Sequence, residues 1–306
     1  MNRVKFSVFA DLHYREGNWN QAAERLEEIL ARASRQKVDF IMHCGDFCHN
    51  VKIARPLIER YNNYAIPTFH TMGNHDFEET DTVEAVTEAY KMEGKSYYYF
   101  DRNGFRLISI DTNFHHAPDG SVVHYASSDV WTKCHQKELL IPEEELEFLR
   151  DAIRTAPGRC IVFSHCSIVR PNGVANRQEV LALLRQEPGK VLLWINGHHH
   201  RNNLQIVENI AFFDLNSTTS EWINTPHHAY PPELMAKFAL SDHELLFEKP
   251  VHAIVTVSED GEIQIDGMRG GMYLGITRAM TGNPEFDCAG LPCDASVLSA
   301  HFKLLR

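Results

Sequence analysis

Short apolar runs alternate along the chain with longer stretches of helical period. VKFSVFA at 4–10 has the length and composition of a buried strand. Trp19 to Arg35 follows, with Ala22, Leu26, Ile29, Leu30 and Ala33 spaced to share one face of a helix. VDFIMHC at 38–44 predicts a second strand. A helical stretch through Ile53, Leu57, Ile58 and Tyr61 comes next, then a third strand, IPTFHTM, ahead of Gly73. Val83 to Lys91 reads as a helix. SYYYF at 96–100 and FRLISID at 105–111 flank Asp101-Arg102-Asn103-Gly104, whose closing Asn-Gly predicts a hairpin turn. Pro142 opens a helix with Leu146, Leu149 and Ile153 on one face. RCIVFSH at 159–165, a helix over Asn176–Gln186, KVLLWIN at 190–196 and strands near 204–207, 210–215 and 251–257 continue the series. Strands joined by helical crossovers predict an α/β fold.

Two segments depart from the pattern. Residues 113–140 carry His115, His116, Tyr125 and Trp131 with no clear period; a loop this long suits a lid over a site, with those four side chains as candidate contacts. After about residue 225 the chain reads as strand and loop, interrupted by Pro231-Pro232 and Gly270-Gly271. We expect 1–225 to form the main domain and 226–306 an extension packed on it.

Charge narrows the choice of partners. Across 306 residues, 41 acidic side chains outnumber 30 basic ones, a formal charge of -11, and Lys and Arg form no run. Such a surface repels a polyanion, which argues against nucleic acid as a partner. No apolar run has the length of a membrane span. The seven cysteines form no CxxC pair, so neither a zinc knuckle nor a disulfide framework is expected, and a reduced, cytoplasmic setting fits.

The chemistry gathers at strand ends. The first strand runs into Ala10-Asp11-Leu12-His13, the second into Gly45-Asp46, the third into Gly73-Asn74-His75-Asp76, and later ones into Ser164-His165 and Gly197-His198-His199-His200. In open α/β sheets ligands bind beyond the carboxyl ends of strands, so five such ends point to one shared site. An extended backbone would send Asp11 and His13 to one face, and likewise His198 and His200, with His199 turned away. Glycines 45, 73 and 197 would let the backbone turn sharply. Imidazole, carboxylate and amide donors without thiolate suit Mn, Fe or Zn.

In this order, ADLH at 10–13, GDFCH at 45–49, GNHD at 73–76, SH at 164–165 and GHHH at 197–200 resemble the calcineurin-like metallophosphoesterase superfamily. The resemblance covers about 1–225. It implies a four-layer α-β-β-α sandwich with a short carboxy-terminal β extension, and two divalent metal ions. By that pattern Asp11, His13 and His200 would hold one metal; Asn74, His165 and His198 would hold the other; Asp46 would bridge them. His75 would be the general acid for the leaving group, with Asp76 orienting it. His199 takes the position that the pattern leaves unspecified. His49 stands where many members have Asp, Asn or Tyr, which disfavours the purple acid phosphatases, and is expected to lie behind the ligands.

The implied activity is hydrolysis of a phosphodiester, pyrophosphate or monoester of a small molecule, attacked by a metal-bridging hydroxide. Two rival readings are a nuclease of the same superfamily, which would want a basic groove, and a scaffold that has lost catalysis, which would want missing ligands.

Overall fold

The computed structural model describes residues 2–17, 20–79, 82–128, 138–223, 230, 232–233, 236 and 243–305. Its first half runs β1 (Arg3–Phe9), α1 (Ala22–Gln36), β2 (Phe40–Cys44), α2 (Arg55–Asn62), β3 (Thr68–Thr71), α3 (Val83–Ala89), β4 (Tyr98–Arg102) and β5 (Phe105–Ser109). A small hairpin follows, β6 (Phe114–His116) and β7 (Val122–His124), then α4 (Glu143–Arg154), β8 (Arg159–Phe163), α5 (Arg177–Leu184) and β9 (Val191–Asn196). The remainder is strand: β10 (Asn203–Val207), β11 (Ile210–Asp214), β12 (Ser220–Trp222), β13 (Glu244–Leu246), β14 (Ala253–Ser258), β15 (Glu262–Asp266) and β16 (Ala300–Lys303).

Two six-stranded sheets result, ordered β16-β15-β14-β1-β2-β3 and β10-β11-β9-β8-β5-β4. Strand alternation separates two cores. Val4, Phe6, Val8, Phe40 and Met42 of the first sheet face Leu107, Ile161, Phe163 and Phe213 of the second. Phe6 meets Phe163 edge-on across this layer at 5.7 Å. The opposite faces carry Phe9, Ile41, Val162 and Trp194 outward to the helices. Leu26, Ile29 and Leu30 of α1 pack on one sheet, Leu146, Leu149 and Ile153 of α4 on the other. The architecture is the α/β sandwich that the family pattern implies.

Local chemistry sets the element ends. α1 stops at Lys37, which adopts φ 51° and returns its N–H to Ala33 and Ser34. α4 begins after Pro142 with three glutamates in its first turn, where negative charge complements the helix dipole. Between 113 and 128 the structure differs from the expected aperiodic loop: β6 and β7 form a hairpin whose three-residue strands are too short to show a period. Trp19, Trp131 and Cys134 lie outside the described residues.

Candidate metal centre

β1, β2, β3, β8 and β9 are neighbours in their sheets or face one another across the inner core, so the loops that follow them meet at one end of the sandwich. Among the described residues these loops gather three groups that could hold a metal: Asp11, His13 and His200; Asp46, His165 and His198; and His13, His49 and His75. In the first, His200 Nε2 lies 3.4 Å from Asp11 Oδ1 and 3.1 Å from His13 Nε2. In the second, His165 Nε2 lies 3.0 Å from Asp46 Oδ2 and 3.3 Å from His198 Nδ1. Asp46 Oδ2 also faces His13 Nε2 at 3.8 Å, so that oxygen looks toward both groups. Asn74 is joined to them through its neighbour: the His75 N–H donates to Asp46 Oδ1 at 2.8 Å.

The backbone reaches this arrangement by another route than the extended one expected. β1 ends at Phe9, and Asp11, His13, Asp46, His198 and His200 all have positive φ, between 49° and 70°. Each non-glycine residue held there costs about 1–3 kcal/mol, which the surrounding hydrogen bonds must offset. The Asp11 carboxylate accepts the His198 N–H at 3.1 and 3.2 Å, tying the first motif to the last. Of the three glycines, Gly45 turns the chain, with φ 91°. Gly73 and Gly197 are required by proximity instead. A Cβ on Gly73 would stand 2.2 Å from Asp46 Oδ1, and one on Gly197 2.6 Å from Asp11 Oδ2.

Hydrogen bonds at the far side of each ring decide what faces the centre. His200 Nδ1 pairs with the Ser220 carbonyl at 3.0 Å, and His165 Nδ1 with the Cys44 carbonyl at 2.9 Å. A carbonyl only accepts, so Nδ1 carries the proton in both rings, and in the neutral rings Nε2 turns a lone pair inward. Asn74 Oδ1 is buried and has no hydrogen-bond partner. Clustered imidazoles and carboxylates, with an orphaned amide oxygen on the adjoining loop, are donor types that suit a divalent cation. The residues fit two metal ions. The thiols stay outside the set: burial pushes Cys44 well up and Cys166 to about 12.

Electrostatics follow from the same crowding. Burial opposes charge on His165, but the adjacent Asp46 carboxylate outweighs it and lifts the ring to about 10. Burial takes His198 down to about 3, helped by His165. Burial likewise lowers His75, yet Asp46 and Glu78 more than offset it and the net shift is upward.

Asp76 is the residue whose surroundings differ from expectation. Its carboxylate accepts the N–H groups of Gly73, Asp46, Phe47 and Cys48 and the Tyr90 hydroxyl, at 2.6–3.2 Å. It stitches the GDFCH loop to the GNHD loop rather than holding the His75 ring. That ring is held by Glu78, whose Oε2 lies 3.0 Å from His75 Nδ1. The i,i+3 spacing across one 3₁₀ turn was the available signal for Glu78. His49 lies beside the expected ligand His13, its Nε2 3.1 Å from His13 Nδ1.

Trp222 was missed altogether. Its indole N–H points at His200 Nε2 at 3.3 Å, and its ring lies nearly parallel to His75 at 6.3 Å. No motif surrounds it; only the fold carries β12 to the site. His199 turns to Cys166 Sγ at 4.0 Å. Of the candidate lid contacts, His115 is buried against Ser128, Tyr125 is buried, and His116 is exposed at the hairpin.

A phosphoesterase-type metal centre on a two-sheet sandwich defines a class of protein, and the comparisons agree. The calcineurin-like phosphoesterase family model matches residues 4–202, which include every motif from Asp11 to His200, and the chain belongs to that family. Among solved structures it is similar to a dimetal phosphatase from Danio rerio, at 14% identity and TM-score 0.57, covering 87% of this chain and 96% of that one. It is also similar to GAP50, the anchor in the inner membrane complex of Plasmodium, at 13% identity and TM-score 0.58, covering 100% and 90%. At such identities the likeness is one of fold, and one fold serves here both a phosphatase and an anchor. A comparison with curated proteins found no match. Among the described residues no helix is long and apolar enough to cross a membrane.

Proposed function

We propose that this protein hydrolyses a phosphate ester of a small molecule with the help of two divalent cations, Mn, Fe or Zn. Asp11, His13 and His200 would hold one cation, Asn74, His165 and His198 the other, and Asp46 would serve both. The observation that carries this reading is the clustering of His165 and His200, whose far sides are already committed, with Asp46 and Asp11, next to a loop that carries the buried, partnerless Asn74 Oδ1. When bound, such a pair activates water and neutralises charge on the phosphoryl oxygens.

The chain's own groups supply the rest. Asp11 and Asp46 are the only carboxylates among the seven donors, so the loaded site keeps a net positive charge and draws an anion into an otherwise acidic protein. His75 sits at the rim, its side chain 27% exposed, where a leaving group departs. With Nδ1 committed to Glu78, the proton His75 can give is the one on Nε2. Trp222 lines the site, its ring nearly parallel to His75 and its N–H toward His200. The acidic surface supports a small substrate over a nucleic acid, and the full ligand set supports an enzyme over an anchor.

The test is turnover of bis(p-nitrophenyl) phosphate, phosphomonoesters, cyclic nucleotides and dinucleotides by metal-loaded protein. Chelation should abolish activity and added metal restore it. Asp46→Asn should lose at least about 100-fold, as removal of a charge-bearing catalytic group does. Protein holding two metals that turns over none of these compounds would refute the proposal.

A further inference from the structure

We infer that Glu78 is a positioning residue serving both halves of the site: through His49 it sets the tautomer of the ligand His13, and directly it aims the acid His75. The inference rests on the phosphoesterase reading above and adds to it a shared support.

Glu78 stands at the cleft rim, its side chain 39% exposed, and one oxygen, Oε2, contacts both His49 Nδ1 and His75 Nδ1. A carboxylate only accepts, so both Nδ1 atoms carry protons. A neutral imidazole has one donor and one acceptor, so the His49 Nε2 is bare. It faces His13 Nδ1 at 3.1 Å in a site where His49 is 3% exposed, and therefore accepts that proton. His13 is left with its Nε2 lone pair directed at Asp11 Oδ1 and Asp46 Oδ2, each 3.8 Å away. His165 and His200 receive the same tautomer from main-chain carbonyls. His13 alone of the three obtains it through a side-chain relay, and the relay ends on the carboxylate that grips the general acid. Ring packing agrees: His49 lies 4.7 Å from His75 and 5.2 Å from His13, centroid to centroid. A change at Glu78 must therefore disturb cation binding and proton delivery together, whereas a change at His49 disturbs only the first.

The experiment compares wild type, Glu78→Gln and His49→Ala in two measurements. Calorimetric titration of the stripped proteins with Mn²⁺ reads the ligand side. kcat across aryl phosphates of rising leaving-group pKa reads the acid. Glu78→Gln should weaken one of two Mn²⁺ sites by tenfold or more, the usual effect of removing a partner behind a ligand. It should also steepen the dependence on leaving-group pKa. His49→Ala should weaken the same site with the wild-type slope retained, and Glu78→Asp should recover part of both losses. Glu78→Gln with Mn²⁺ affinity within twofold of wild type and an unchanged slope overturns the inference while leaving the phosphoesterase reading intact. A third Mn²⁺ bound by wild type and lost in both variants overturns it too, because Glu78 would then be a ligand. Wild type that takes up no Mn²⁺ and shows no turnover removes the reading itself, and the inference with it.

Discussion

At the scale of single residues, the histidine triplet shows how neighbours in sequence acquire different work. His198 and His200 reach the centre from left-handed backbone, while His199 between them points back toward Cys166 and packs on His198 with centroids 4.8 Å apart. Among the described residues, none of the groups that could hold a metal includes it. His199→Ala should therefore leave two metals bound per chain, measured by elemental analysis after gel filtration. Stoichiometry falling to one would mean that the loop, and not the side-chain set alone, depends on this ring. His198→Ala, one residue away, should lose a metal. The site residues were legible because each sits in a short motif of chemically distinctive side chains. Their backbone was not: nothing in ADLH or GHHH announces a positive φ at aspartate or histidine, since that conformation is imposed by bonds such as His198 N–H to Asp11. Glu78 and Trp222 were hidden for a related reason, as their meaning arises from contacts with His49 and His200 that sequence spacing does not display.

Most elements with four or more residues of apolar pattern were found in the sequence, but β15 and β16 in the tail, and the shorter strands, were not. β6, β7, β12 and β13 have three residues each, below the length at which alternation can be seen. α4 was visible from Leu146, Leu149 and Ile153, yet its most consequential residue is polar. Glu145 is fully buried in its first turn and accepts the Asp111 N–H at 2.9 Å, fixing the helix to the loop after β5. Burial, and then the Asp111 charge, hold its carboxyl well above the ordinary glutamate range. An acid raised in the folded state keeps its proton after the unfolded chain has released it. Stability is therefore highest below the unfolded value and declines as pH rises from about 4.5 toward the folded one. Glu145→Gln keeps the shape without the ionisation, so its melting temperature should gain on wild type steadily between pH 5 and pH 8. Parallel curves in that range would show that Glu145 ionises in the folded protein at its ordinary value.

For the whole molecule, the described part of the carboxy-terminal segment is bound into the fold both through a sheet and at the metal-site loops. β14 pairs antiparallel with β1 from Arg3↔Ser258 to Val8↔Ala253, and β15 and β16 extend the same sheet, a long-range pairing that sequence pattern alone does not specify. Beyond β15 the chain crosses to the metal-binding loops. The Leu298 N–H donates to Asn202 Oδ1 at 2.9 Å, and Asn216 Nδ2 to the Ser296 carbonyl at 3.2 Å. Arg278 meets Glu221 at 2.9 Å, and Asp287 lies against both Arg170 and Arg201, the latter next to His200. These guanidiniums are buried, so their carboxylates matter more than surface partners would. Asp287→Asn takes from the buried Arg170 the carboxylate it pairs with, while Arg201 keeps Glu221, and should cost about 3 kcal/mol, the scale of breaking a buried pair. Urea unfolding should show this as a lower midpoint with the slope unchanged. Because Arg201 follows His200 directly, Mn²⁺ affinity at the site containing His200 should fall with it. A variant that unfolds at the wild-type midpoint and binds Mn²⁺ normally would mean that this segment merely covers the metal loop and does not fasten it.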